Sequence, residues 1–388
     1  MGSHPEGPGP ASPDPARAPE PWPGLAALVR SLAPGAKLEH VEPLAPDVAS
    51  GAQHEKALGY GRPLKVTVRD AAGATRVLVF RTQSANEFGH DRRADRFDAA
   101  VLAWDVFARI PDHVRAVDVG AVADDGRLVS LRQTGEPYLV TEWAEGALYA
   151  EDLRRIAIDA RASDLDLARC DALADALVRL HAERLDDPPA WRRAVRDLVG
   201  HGEGIFGMVD GYPADVPGAP PERLRAIEER CLAWRWRLRG RTHRLARIHG
   251  DFHPFNVVFR PPEPGGDATR FTLLDASRGG KGDPADDLTA LAVNYVFFAA
   301  EHPAAWPTAL GPLWARFFAR WLSATGDHEA LETAPPFLAW RALVLCSPRF
   351  YPRLGERARD LLLRLAERAL DAGRLDLGLP DALFAEGT

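Results

Sequence analysis

The sequence predicts an α+β protein in two parts, a small N-terminal mixed sheet with one inserted helix and a larger, mainly helical C-terminal part. Three observations carry this. Short β-branched runs recur between about residues 38 and 145, with one helix-spaced stretch among them. Beyond Gly146 the apolar residues are spaced as on helices almost to the end of the chain. One pair of strand-like runs, residues 256–260 and 270–275, interrupts that helical pattern.

Residues 1–24 contain eight prolines and read as a disordered leader, because such a segment can form neither a ladder of hydrogen bonds nor a core. Residues 25–33 read as a short helix that opens an N-terminal part extending to residue 145. PLKVTVRD (63–70) and TRVLVFRT (75–82) flank a small-residue turn and predict a hairpin. Phe97, Val101, Leu102, Val106 and Phe107 are spaced as one helix face within 91–109, and VRAVDVGAV (114–122) and PYLVTEW (137–143) read as further strands. In the C-terminal part, 146–388, helices are expected over 170–185, 221–240, 306–322 and 355–370. The stripe Leu310, Leu313, Trp314, Phe317, Phe318, Trp321 and Leu322 is read as core.

Composition excludes several classes. The chain has 388 residues, 46% hydrophobic and 27% charged, ample for a sizeable core. Its net charge of −7 sets a general nucleic-acid binder aside. Lys37, Lys56, Lys65 and Lys281 are the only lysines among 48 basic residues, so a single arginine carries little weight. Cys170, Cys231 and Cys346 form no CxxC pair and suit a reducing compartment. With no apolar leader segment and no apolar run of ~20 residues, a cytoplasmic protein without a membrane partner is expected. The oligomeric state leaves no mark in the sequence.

Chemistry concentrates around the interrupting hairpin. His249-Gly250-Asp251-Phe252-His253-Pro254-Phe255-Asn256 is followed by Asp275 and by Gly282-Asp283-Pro284-Ala285-Asp286-Asp287-Leu288. Phosphoryl transfer needs a carboxylate to accept or orient the proton of an attacking hydroxyl, and oxygen ligands to hold magnesium against ATP. Asp251 and Asn256 stand five positions apart on one loop, and Asp275 ends the second strand, which folds back beside Asn256. The alternation of His249, Asp251 and His253 allows a second reading, a metal-dependent hydrolase. That reading lacks further ligands nearby, since residues 254–301 contain no histidine.

The ordered set over residues 249–287 resembles the aminoglycoside phosphotransferase and choline kinase family, relatives of the protein kinases. The resemblance implies a protein-kinase-like two-lobe fold, with 25–145 the nucleotide lobe and 146–388 the lobe carrying the catalytic loop and substrate site. It implies ATP and Mg2+ as cofactors, Asp251 as catalytic base, and Asn256 and Asp275 as metal ligands. Asp287 becomes a structural acid opening the next helix, and His249 a prop for the loop. Where the family has a strand lysine and a helix glutamate, this chain has Arg81 and Asp98, implying a longer cation and a shorter acid that together clamp phosphate. Lys56 and Lys65 are the next candidates for that contact. Gly51, Gly59 and Gly61 would form the phosphate-covering loop. The C=O of Glu142 and the N–H of Ala144 would meet adenine at the hinge. The implied partner is a small molecule bearing a hydroxyl. Residues 290–388 hold eleven acids against ten bases, without the acidic surplus that a polycationic aminoglycoside calls for. Trp306, Trp314, Trp321 and Trp340 could cage a choline-type cation, although their spacing favours core packing. A nucleotide-binding pseudokinase with a regulatory role is the alternative raised by Arg81 and Asp98.

Overall fold

A helix and a hairpin organise the N-terminal region of the computed structural model, which describes residues 24–44, 63–261, 266–276 and 279–386. Helix α1 (Leu25–Leu32) leads into β1 (Lys37–Pro43), which pairs antiparallel with β2 (Leu64–Arg69), itself paired with β3 (Thr75–Phe80). The β2–β3 turn is set by Asp70, whose Oδ1 accepts from the N–H groups of Ala72 and Ala74 at 2.9 Å each. Leu64, Val66 and Val68 alternate along β2 and bury against Leu25, Val29 and Ala36. Helix α2 (Arg93–Phe107) follows, and then a short hairpin of β4 (Gly120–Val122) and β5 (Leu128–Ser130).

Two expectations fail here, and a third holds only in part, since of the strand expected over 114–122 only Gly120–Val122 forms. The apolar stripe of α2 buries nothing: Phe97, Val101 and Leu102 are all exposed, and no residue of the helix is buried. Residues 137–143 form no strand, and Tyr138 and Leu139 are about nine-tenths exposed. Pro137 has no N–H to give a ladder, and no neighbouring strand pairs with the segment. Most of the expected leader (1–23), the glycines 51, 59 and 61, and Lys56 lie outside the described residues.

The chain divides into two units, Met1–Val140 and Thr141–Thr388. The second opens with β6 (Ala147–Leu148), α3 (Tyr149–Asp159), α4 (Asp164–His181), α5 (Pro188–Gly200), α6 (Ile205–Asp210) and α7 (Pro221–Leu238). Strands β7 (Ala246–Arg247), β8 (Val257–Phe259), β9 (Phe271–Leu273) and β10 (Lys281–Gly282) then frame the segment 249–256 and the chain that follows it. Helices α8 (Pro284–Glu301), α9 (Gly311–Thr325), α10 (Glu329–Cys346), α11 (Glu356–Ala372) and α12 (Leu379–Glu386) complete it. The result is the α+β division that the sequence predicts.

The tryptophan-rich stripe is core: Leu310, Leu313, Trp314, Phe317, Phe318 and Trp321 are all buried. Helix α4 begins at a capping box, in which Ser163 Oγ accepts from the Asp166 N–H and Asp166 accepts from the Ser163 N–H. Gly146 has φ +142°, and a Cβ there would lie 2.1 Å from the Phe259 carbonyl oxygen, so only glycine lets β6 reach β8. The three cysteines are free and buried, and burial pushes the Cys170 and Cys231 thiols up to about 12. No helix among the described residues is long and apolar enough to cross a membrane.

Candidate active site

The segment 249–256 is held at both ends by short antiparallel pairings. β7 pairs with β10, and β8 pairs with β9 in the register Val257↔Leu273 and Phe259↔Phe271. Between them the backbone turns through Gly250, at φ +81°, and closes in a single 3-10 turn over Pro254–Asn256. His253 Nδ1 caps that turn by accepting from the Phe255 N–H at 3.2 Å. The Leu274 N–H then donates to the Asn256 carbonyl at 2.9 Å, which carries Asp275 alongside Asn256.

Asp287 is the buried anchor of the loop. It lies in the first turn of α8, behind the N-cap Asp283, where a carboxylate suits the helix dipole. Its Oδ2 accepts from the His249 N–H and its Oδ1 from the Gly250 N–H, both at 2.8 Å, and His181 Nε2 lies 3.1 Å from Oδ2. Trp321 Nε1, which can only donate, lies 3.2 Å from His181 Nδ1. The His181 ring proton therefore sits on Nε2, facing Asp287. Burial alone would raise the Asp287 carboxyl, but His181 and the two backbone donors hold it below its ordinary value.

Asp251 sits at the centre of the site with both oxygens engaged. Oδ2 accepts from Asn256 Nδ2 at 3.0 Å and faces His253 Nε2 at 3.3 Å, while Oδ1 accepts from Arg341 Nη1 at 2.5 Å. Arg341 Nη2 bonds the Gly250 carbonyl and Asp286 Oδ1, both at 2.9 Å, and the guanidinium lies 3.7 Å above the Trp340 ring. Burial pushes Asp251 up, but His253 and Arg341 outweigh it and hold the carboxyl far below the usual range. Three of the four lone-pair sites are taken, and Oδ1 keeps capacity for one more donor.

The residues expected to hold magnesium fit a hard cation. Asn256 spends its Nδ2 on the carbonyl and carboxylate of Asp251, both at 3.0 Å, which turns its Oδ1 away as a free oxygen donor. Asp275 is exposed and takes a left-handed φ of +39°, a strained backbone state for a residue with a side chain. One or two such oxygen ligands, with phosphates supplying the rest, is the usual protein share of a nucleotide-magnesium site. By contrast, His249 Nδ1 accepts from the Asp251 N–H at 3.3 Å and His253 Nδ1 caps the 3-10 turn. Among the described residues no three His, Cys, Asp or Glu groups gather as a metal cluster. The hydrolase reading finds no support in this geometry.

Asp251, His253 and Asp275 line a cavity of about 350 Å³ together with Asn294, Trp340 and Tyr351. Burial and the Asp251 charge push the Tyr351 phenol up to about 12, so it remains a donor.

The expected clamp in the first unit is not formed. Arg81 places its guanidinium 5.6 Å over the ring of Phe107, the last residue of α2, and makes no ion pair with Asp98. Phe107 and Asp98 stand nine positions apart on α2, about 13 Å along the axis at ~1.5 Å per residue. Arg81 and Asp98 are both exposed. Lys65, the fallback, pairs instead with Glu42 across β1 and β2 at 2.9 Å. Glu142 and Ala144 lie in an extended stretch without sheet pairing, next to Trp143 at 91% exposure.

Three residues of the site escape sequence reasoning. Arg341, 90 positions from Asp251, is one arginine in an arginine-rich chain with no local motif around it. His181 reads as a lone histidine on an amphipathic helix. Asn294 is one polar residue in an otherwise apolar helical run.

A family model described as the phosphotransferase enzyme family matches residues 76–337, well over half of the chain. No curated protein matches. Among solved structures, a glucosamine kinase is similar at 15% identity and a TM-score of 0.35, covering 93% of this chain and 96% of its own. A Plasmodium vivax ethanolamine kinase is similar at 11% identity and a TM-score of 0.33, covering 90% and 81%. An aminoglycoside phosphotransferase from Streptomyces rimosus is similar at 18% identity and 0.29, covering 76% and 92%. With the family match spanning the hairpin, the 249–256 motif and most of the helices around it, the chain belongs to the phosphotransferase enzyme family.

Proposed function

We propose that this protein is a small-molecule kinase that transfers the terminal phosphoryl group of ATP to a hydroxyl. One observation carries the reading: an Asp held ionised on a doubly anchored loop, facing a cavity of about 350 Å³, with an amide oxygen and a second carboxylate beside it. The acceptor hydroxyl donates to Asp251, its oxygen bonds to the terminal phosphorus, and the bridging P–O bond to the leaving ADP breaks. The proton passes to Asp251 and then to solvent. Arg341 keeps the carboxylate ionised and aimed, and Asn256 fixes its other oxygen. Bound magnesium would neutralise phosphate charge, with Asn256 and Asp275 as the groups to hold it. Glu142 and Ala144 offer backbone groups to adenine. The small acceptor is the partner this reading requires.

ADP release measured across hydroxyl compounds with Mg-ATP tests the activity. Asp275→Ala should weaken nucleotide binding measured in magnesium and leave binding in EDTA unchanged. Equal binding by both proteins in magnesium would remove Asp275 from the metal site. ATP binding without turnover on any acceptor would turn the reading to the pseudokinase.

A further inference from the structure

Two residues lining the cavity beside Asp251 each carry a buried polar atom without a partner among the described residues, and the two atoms are of opposite kinds. Asn294 Oδ1 is an acceptor and Arg341 Nε carries a donor hydrogen. Both residues line the cavity, and both are at least nine-tenths buried, at 3% and 5% exposure. Neither orientation is arbitrary. Asn294 Nδ2 donates to the Ala290 carbonyl at 2.8 Å, and turning the amide over would set its oxygen against that carbonyl. Arg341 is fixed by the bonds of its two terminal nitrogens to Asp251, Gly250 and Asp286 and by the Trp340 ring beneath it.

A buried acceptor and a buried donor left unpaired on the wall of one cavity are costly unless a ligand satisfies them. The hydroxyl group is the small neutral function that does both, donating to an amide oxygen and accepting from a guanidinium N–H. A quaternary ammonium has no hydrogen to donate. A protonated amine can donate to Asn294 but has no lone pair with which to accept from Arg341. We propose that Asn294 and Arg341 form a subsite for the non-reacting hydroxyls of the acceptor, making that acceptor a polyol of about one sugar ring. A volume of about 350 Å³ matches that size, and Trp340 offers the ring an aromatic wall. The proposal rests on the kinase reading for which hydroxyl reacts, but not for what binds.

The test begins with wild-type protein and Mg-ATP on hexoses, hexosamines, choline and ethanolamine, read by ADP release. The best sugar is then replaced by its monodeoxy forms, for wild type and for Asn294→Leu. In wild type one monodeoxy form should lose about 10–100-fold in kcat/KM, the cost of stranding a buried polar group. Asn294→Leu should lose as much on the parent sugar and little more on that same deoxy form. Its Tm should stay level or rise, because the substitution removes an unpaired acceptor, whereas a structural role would lower it. Preference for choline or ethanolamine over every sugar overturns the subsite while leaving the kinase reading intact. Equal losses by Asn294→Leu on every compound also overturn it. Calorimetric binding of a hexose without turnover, abolished in Asn294→Leu, supports the subsite and sinks the kinase reading. Neither turnover nor binding of any sugar overturns the subsite.

Discussion

The loop around Asp251 and the region around Arg81 are both rich in charge, yet they are built on opposite principles. In the loop, the charged side chains are held from several directions. Asp287 takes three donors, Asp251 has three partners, and Arg341 spans two carboxylates and a carbonyl. Around Arg81 the guanidinium has one half-buried ring for company, that of Phe107, and the exposed Asp98 stands well along α2 from that ring. A buried charge survives only when it is paired and hydrogen-bonded, so burial forces geometry. An exposed charge is solvated wherever it points, and nothing forces it into one place.

The sharpest way to break this contrast is at its centre. Asp251→Asn should lower turnover on any identified acceptor by about 10²–10⁴-fold, the usual worth of a positioned base. Mg-ATP binding should persist, because no nucleotide group depends on that carboxylate. Near-normal turnover would remove Asp251 from the chemistry.

Next comes the anchor. An amide at position 287 has one acceptor oxygen where three donors converge, and its NH2 would face an N–H. Asp287→Asn should therefore cost about 3–5 kcal/mol of stability, as for a buried charge network losing one partner. Urea titration of both proteins measures this. The sign of the pH dependence follows from the lowered folded-state value of Asp287. Its contribution is complete above the unfolded carboxyl range near pH 4 and fades as pH falls through the folded value. Wild type should lose stability on acidification more steeply than the variant, and parallel curves would refute the assignment.

The same contrast explains what was legible in the sequence. His249 to Asp287 could be read because a hairpin connects residues close in sequence, and turn chemistry plus spacing fixes where Asp251, Asn256 and Asp275 meet. The helical core was legible from periodicity: Trp314, Phe317 and Trp321 must turn inward whatever they touch. Arg341 and His181 were not, because their partners come from distant helices, and no local rule says which arginine on a helix meets which carboxylate. The Arg81–Asp98 pair was inferred from correspondence of positions and failed. Matching a strand end to a helix does not supply the packing that would bring them together, and α2 buries no residue.

Arg341 sharpens the comparison from the buried side. Lysine keeps the charge but cannot span Asp251, Gly250 and Asp286 at once. Arg341→Lys should cost about 1–3 kcal/mol of stability through the charge-assisted bonds it loses. It should also relax the downward hold on the Asp251 carboxyl, so the acidic limb of the kcat/KM profile moves to higher pH. An acidic limb that stays in place, with stability lost, would leave Arg341 a purely structural bridge.

The smallest expected effect lies with Arg81 and Asp98, and a double-mutant cycle reads it directly. Arg81→Ala removes a cation over the Phe107 ring at an exposed site, worth about 0.5–1 kcal/mol at most. Asp98→Ala removes an exposed carboxylate with no ion-pair partner among the described residues and should lie within about 0.5 kcal/mol of wild type. Side chains that share no partner and stand two to three helical turns apart should add, so the coupling in stability should be under about 0.3–0.5 kcal/mol. Phe107→Ala paired with Arg81→Ala should instead couple measurably, because those two groups touch. If the Arg81–Asp98 coupling exceeds 1 kcal/mol while the Arg81–Phe107 coupling vanishes, the exposed region is as geometrically fixed as the loop. The contrast between buried and solvated charge would then fail at the place where it predicts the least.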